Sequence, residues 1–179
     1  MARILLVEDD EAIRRTLTRG LQESGAVVTT ASTAVEAIRT LSTDRPEIIL
    51  LDLGLPDGQG VENVRTLRAV DHRPAIIVLT GLDDERVAVE ALKLGAQDYL
   101  LKGETDAEQL LRLIRRSIQR NRQTVQLEHQ RDSAYLAATR EPLTLLPNLP
   151  LLLELARQQQ AELRGQQALV LGVLVLDGL

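Results

Sequence analysis

The chain has 179 residues, a formal net charge of −5, no cysteine, and two tyrosines as its only Phe, Trp or Tyr residues. These totals exclude disulfides, thiolate metal sites and cysteine nucleophiles, give no overall attraction to a polyanion, and remove the aromatic platforms on which single-strand nucleic-acid binders stack bases. A core is available, since 44% of the residues are hydrophobic, but it has to be packed from Leu, Ile, Val and Ala; the length suffices for one ordinary domain and part of another.

Residues 3–7 (Arg-Ile-Leu-Leu-Val) read as a short apolar strand that ends abruptly in Glu8, Asp9 and Asp10. Ala12, Ile13, Leu17 and Leu21 then recur at helical spacing over residues 11–24, and Gly25 stands where such a helix stops. A second strand over 26–31 and a second helix over 33–41 come next. Residues 48–51 are an unbroken Ile-Ile-Leu-Leu run, the pattern of a parallel strand buried on both faces. The single carboxylate of Asp52 closes it, and Gly54, Pro56, Gly58 and Gly60 enforce the turn behind. A helix over 61–70, a strand over 75–79 ending at Thr80-Gly81, a helix over about 84–94 closed by Gly95, and a strand over 98–101 ending at Lys102-Gly103 continue the alternation. Parallel neighbours need crossover helices, so the pattern predicts an α/β fold with a doubly wound five-stranded parallel sheet.

Every strand end except the second carries a candidate for chemistry: Glu8 and Asp9, Asp52, Thr80, and Lys102. In such a sheet these ends lie along one rim. Three carboxylates there repel one another, and a bound hard cation, Mg²⁺ above all, resolves the repulsion. A lysine and a hydroxyl beside that centre suit an incoming phosphoryl group, with Asp52 as the nucleophile. Taken singly, each residue reads as well as a cap or a surface side chain. Their joint position at the ends of one sheet is what favours a site.

Residues 1–120 resemble the receiver domain of bacterial two-component response regulators. The likeness is carried by Ile-Leu-Leu-Val-Glu8-Asp9-Asp10, by Leu-Leu-Asp52-Leu-Gly54-Leu-Pro56, by Val-Leu-Thr80-Gly81 and by Gly-Ala-Gln-Asp-Tyr99-Leu-Leu-Lys102. The resemblance implies a flavodoxin-like strand order 2-1-3-4-5, with Mg²⁺ held by Glu8, Asp9, Asp52 and the backbone carbonyl of Gly54. It implies that a sensor histidine kinase's phosphohistidine donates to Asp52, and that Thr80 and Lys102 bind the phosphoryl oxygens. Thr80 moving inward would draw Tyr99 after it, and the face of helix four, strand five and helix five would respond. One departure is Gly103, where the family usually has proline after a cis bond. A cis bond before a non-proline residue costs about 2.5–4 kcal/mol.

The fifth helix is expected to start near Asp106 and to meet no stop before Arg140. Leu111, Ile114, Ile118 and Val125 fall near a heptad seam with Asn121 as a polar break, while Arg112, Arg115, Arg116 and Arg120 share another face. Three readings fit: a signalling helix pairing with its copy in a homodimer, a basic helix for DNA phosphates, or a solvated linker. The first is preferred, and nucleic acid is not expected as a partner, because no helix-turn-helix succeeds it. His72 and His129 read as surface residues.

Residues 141–148 (Glu-Pro-Leu-Thr-Leu-Leu-Pro-Asn) begin something new, continued by an amphipathic helix over 151–164 and an apolar strand over 168–176, too little to stand alone. The stretch resembles the opening of a GGDEF (diguanylate cyclase-type) domain, with Leu145 in place of Gly and Leu149 in place of Arg. Val175 stands where that family has its first metal-binding Asp, and only Asp177 matches. The resemblance implies a partial, degenerate α+β fragment without cyclase activity. The expected organisation is a receiver domain over 1–120, a linker helix over 121–141 and the fragment over 142–179. The expected function is a phosphorylation-controlled switch, not an enzyme beyond its own phosphorylation and dephosphorylation, with an output concerning cyclic-di-GMP. The alternatives are a response regulator acting on DNA or a protein partner through the basic helix, and part of an active diguanylate cyclase. No apolar run is long enough to span a bilayer and residues 1–7 do not resemble a signal peptide, so a soluble cytoplasmic protein is expected.

Overall fold

The apolar runs at 48–51 and 75–79 are uninterrupted because both faces of the strands they form are covered: every residue of β3 (Ile48–Asp52) and β4 (Ala75–Thr80) is buried. The computed structural model describes residues 1–58, 60–81, 85–102 and 107–162. Before β3 come β1 (Arg3–Val7), α1 (Glu11–Glu23), β2 (Val27–Ala31) and α2 (Ala34–Thr43). Around and after β4 come α3 (Glu62–Val70), α4 (Glu85–Lys93), β5 (Asp98–Leu101), α5 (Ala107–Thr139) and α6 (Leu149–Glu162). The five strands form one parallel sheet in the order β2-β1-β3-β4-β5, the flavodoxin-like doubly wound arrangement.

Side chains alternate across a strand, so the sheet fills two cores. On one face Leu5, Val7, Ile49, Leu51, Ile76 and Val78 meet α2, α3 and α4 through Ala37, Leu41, Val64, Leu67 and Ala91. On the other, Ile4, Leu6, Ile48, Leu50, Ile77 and Leu79 meet Leu21 of α1 and Leu110, Ile114 and Ile118 of α5. Among the described residues the buried set contains no aromatic side chain; Tyr99 only borders the first core. The stop expected at Gly25 is a Schellman motif: Gly25, at φ +88°, bonds the carbonyl of Gln22 (2.9 Å) and Ala26 bonds that of Leu21 (3.2 Å).

α5 is 33 residues long, as its uninterrupted sequence predicts. The stripe expected to zip two copies together is turned inward for its first half. Ile114 and Ile118 are core residues and Leu111 packs beside them. Asn121, expected as a polar break in the seam, donates from Nδ2 to the carbonyl of Arg73 and accepts from Gln97 Nε2 (3.2 Å). Arg122 next to it pairs with Glu47 (Nε to Oε1, 3.0 Å), whose other oxygen takes the N–H of Arg3 (3.3 Å). An apolar spacing of three and four marks one buried stripe and does not say whether a sheet or a second helix covers it.

The chain divides into two units, Met1–Val125 and Gln126–Leu179, and the sheet with both cores lies in the first. In the second, Arg140 and Pro147 form an antiparallel bridge, and Asn148 closes the turn by donating from its backbone to Thr139 O (2.8 Å) and from Nδ2 to Ala138 O (2.7 Å). The Oδ1 of Asn148 caps α6 by accepting the N–H of Leu151 (3.1 Å). Leu145, where the GGDEF-type opening has glycine, sits at φ +57°, a conformation that disfavours any side chain by about 1 kcal/mol. The expected strand over 168–176 with Val175 and Asp177, and the Lys102–Gly103 bond, lie outside the described residues. No helix among the described residues is long and apolar enough to cross a membrane.

Candidate functional site

Strand register assembles the rim. Val7 pairs with Leu51, so the residues next in each strand, Glu8 and Asp52, come side by side. Leu79 pairs with Asp52 and precedes Thr80, and Leu101 pairs with Thr80 and precedes Lys102. Parallel strands all end on the same edge, so four separated stretches of sequence deliver their polar residues to one place.

The run Glu8-Asp9-Asp10 separates into three roles. Asp10 turns away and caps α1, its Oδ1 accepting the N–H groups of Ala12 (2.8 Å) and Ile13 (3.0 Å), which holds its carboxyl below the usual range. Asp9 is exposed at the mouth of the pocket, and Glu8 is fully buried at its floor. Arg14 of α1 braces the segment by donating to the carbonyls of Glu8 (2.7 Å) and Asp9 (2.9 Å). One oxygen of each of Glu8, Asp9 and Asp52 lies within 4.8 Å of the others. Asp52 Oδ1 accepts the N–H of Gly54 (3.2 Å), and a Cβ on residue 54 would stand 3.4 Å from Asp52 Oδ2. The turn thus passes close over the carboxylate.

Lys102 spans the two buried acids, its Nζ 2.8 Å from Glu8 Oε2 and 2.9 Å from Asp52 Oδ2. Burial, with the nearby charge of Asp52, pushes the Glu8 carboxyl up despite the hydrogen bond from Lys102. Burial acts against the Lys102 ammonium too, but the hydrogen bonds to Glu8 and Asp52 outweigh it and raise Lys102 above its ordinary value. Thr80 is buried at the end of β4, and its carbonyl accepts the N–H of Lys102 (2.7 Å). Tyr99 is half-buried in β5, paired in register with Val78. The expected residues Glu8, Asp9, Asp52, Gly54, Thr80 and Lys102 are therefore neighbours at one rim, and Tyr99 stands further back on the adjoining edge strand.

Two side chains of the site were not legible in the sequence. Arg14 acts through backbone carbonyls, which any residue type provides. Asp57, read only as part of a turn, reaches across to α2, where Ala34 and Val35 donate to its carboxylate (2.9 and 3.0 Å). A contact spanning more than twenty residues leaves no periodic signal; the only hint is an acid in a turn facing a Thr that starts a helix.

The chemistry available is plain: three hard oxygen donors close enough together to share a divalent cation, an ammonium bridging two of them, and a buried carboxylate, Asp52, at the centre of the cluster. The family model for the response regulator receiver domain matches residues 4–115. The KDP operon transcriptional regulatory protein KdpE of Escherichia coli is 43% identical over 102 residues, 57% of this chain and 45% of that protein. The transcriptional regulatory protein AfsQ1 of Streptomyces coelicolor is 35% identical over 176 residues, 94% of this chain and 78% of that protein. A crystal structure of a CheY-like receiver domain protein from Methanospirillum hungatei, 27% identical, superposes with a TM-score of 0.64 over 69% of this chain and 98% of that one. Against KdpE this chain thus spans less than half of the relative's length. Fold, rim and relatives agree, and through residues 4–115 the chain belongs to the response regulator receiver domain family.

Proposed function

We propose that this chain is a phosphorylation-dependent switch of a two-component system, taking a phosphoryl group from a sensor histidine kinase onto Asp52. The observation that carries the reading is Lys102 Nζ held between Glu8 and Asp52 in a pocket where a third carboxylate, Asp9, also converges. The donor set fits Mg²⁺: Glu8, Asp9 and Asp52 offer carboxylate oxygens, and the Gly54 backbone lies against Asp52. When bound, the ion supplies the positive charge that lets the acids and an incoming phosphoryl group share one pocket.

The chain's own residues then divide the work. An Asp52 oxygen attacks phosphorus as the bond from the donor's imidazole nitrogen to phosphorus breaks, leaving an aspartyl phosphate and a free histidine. Lys102 exchanges a carboxylate contact for a phosphoryl oxygen, and the Thr80 hydroxyl donates to another, neutralising charge where it arrives. The movement of Thr80 opens room toward β5, and Tyr99 moves after it. Asp52→Asn is expected to abolish hydroxylamine-labile incorporation of phosphate from acetyl phosphate in Mg²⁺, and EDTA to do the same to the unmodified chain. Undiminished labelling of Asp52→Asn refutes the assignment.

The output we propose is control of transcription. It is supported by the names of KdpE and AfsQ1, both transcriptional regulatory proteins, and by an exposed row of Arg112, Arg116 and Arg120 on α5. This favours a DNA-directed output over the expected cyclic-di-GMP one. The second reading keeps one observation in its favour: Leu145 adopts a left-handed backbone where a GGDEF-type opening has glycine. A gel shift with salt titration, with and without phosphorylation, discriminates: a salt-sensitive shift supports the DNA reading, and none at low salt removes it. We further propose the domain division 1–120, 121–141 and 142–179, with any pairing of copies resting on the α4, β5, α5 face.

A further inference from the structure

β2 is the strand whose end carries none of the expected site residues, yet both walls of the acidic pocket are fastened to the corner where it passes into α2. The N–H of Glu8 donates to the carbonyl of Ala31, the last residue of β2 (3.0 Å). Shortly beyond it α2 begins, and its first turn is fully partnered. Thr33 Oγ1 accepts the N–H of Glu36 (3.1 Å), while Ala34 and Val35 donate to the two oxygens of Asp57 (2.9 and 3.0 Å). Asp57 lies five residues beyond Asp52, in the turn that places Gly54 over the carboxylate.

That turn has three anchors. Gly54 N–H holds Asp52 Oδ1 (3.2 Å), Leu55 is buried in the core beneath α2 and α3, and Asp57 grips α2. Pro56 fixes the backbone between the second and third. At the far side of Asp57, Gly58 closes on Leu55 (3.2 Å), and a Cβ there would meet the buried Asn63 amide at 2.1 Å. The wall carrying Asp52 and Gly54 and the wall carrying Glu8 are therefore both tied to the β2–α2 corner.

We propose that Asp57 is a positioning residue for the divalent cation: by mooring the Gly54 turn to the start of α2, it sets the width of the acidic pocket. This rests on the cation-binding reading given above and adds a residue to it. A role confined to capping α2 would touch helix stability and leave cation affinity alone.

The test is Mg²⁺ affinity of the unphosphorylated full chain by titration calorimetry, with no turnover involved. Asp57→Ala is expected to weaken binding about tenfold, the lower end of what hydrogen bonds behind a ligand set contribute. Asp57→Asn, which keeps one acceptor oxygen, is expected to lose roughly threefold and carries the test if the alanine variant does not fold. Glu36→Ala frays the same helix end, by releasing Ser32, and is expected to bind Mg²⁺ like the unmodified chain. Should the unmodified chain itself fail to bind Mg²⁺, the cation reading falls first and this one with it. Where the unmodified chain does bind, undiminished affinity in both Asp57 variants, or an equal loss in Glu36→Ala, overturns this inference alone.

Discussion

Lys102 is the counter-charge between Glu8 and Asp52, which lie buried together. Removing one partner of a buried ionic group strands the other, at about 3 kcal/mol here, the low end of the range because Lys102 is 27% exposed. Lys102→Ala is therefore expected to lower the melting temperature in EDTA, and Mg²⁺ to restore more stability to the variant than to the unmodified chain. A variant whose melting ignores Mg²⁺ would mean that the pocket does not take the ion. A second carboxylate shows the opposite electrostatics. Asp71 receives the Arg73 guanidinium through Oδ1 and Oδ2 (2.9 and 2.8 Å), which holds its carboxyl below the ordinary 3.8. A group lowered in the folded state contributes above its unfolded value and loses that contribution as pH falls through the folded one. Asp71→Asn should accordingly unfold at lower urea than the unmodified chain at pH 7, with the gap closing below about pH 3.8. A gap constant with pH would contradict the pairing.

At the scale of elements, α4 is held shallowly along its length and firmly at one end. Among its described side chains the buried ones are Ala88 and Ala91, while the turn that follows it is gripped at Gly95 by Arg68 of α3. That guanidinium donates to Gly95 O (3.1 and 2.8 Å), His72 O (2.9 Å) and Pro74 O (2.6 Å), and burial lowers its pKa. Arg68→Ala is expected to cost about 1–2 kcal/mol, since three carbonyls lose a half-buried charged donor, and Arg68→Lys to recover little of it because an ammonium cannot span them. Chemical denaturation reads this directly; a loss within experimental scatter would refute the clamp. None of it was legible in the sequence, where Arg68 is one charged residue on an amphipathic helix. The central strands β3 and β4 were legible because full burial on two faces forces unbroken apolar runs, and the rim was legible because four of the five strands are followed or closed by acids, a hydroxyl or a lysine. The α5 stripe was legible as a stripe only: its partner, the sheet, became clear with Ile114, Ile118 and the bonds of Asn121.

For the whole molecule, both cores close within Met1–Val125, and so do the ties of Asn121 and Arg122 to Arg73, Gln97 and Glu47. Residues 1–125 expressed alone are expected to fold cooperatively and to take phosphate on Asp52 at the rate of the longer chain. Ending instead at residue 117 removes Ile118 and both polar ties, and is expected to cost several kcal/mol, since a buried aliphatic side chain alone contributes about 2–5 kcal/mol. Equal unfolding midpoints for the two fragments would show that α5 is not part of the receiver's fold beyond Ser117.

The scarcity of aromatic residues has a practical corollary. Tyr99 is the sole Phe, Trp or Tyr of residues 1–125, since the chain's other tyrosine is Tyr135. Ultraviolet emission and near-ultraviolet dichroism of that fragment thus originate from one ring, on the edge strand three positions before Lys102. That fragment carries its own single-site optical reporter, and the movement proposed for Tyr99 on phosphorylation is expected to register there without an attached dye.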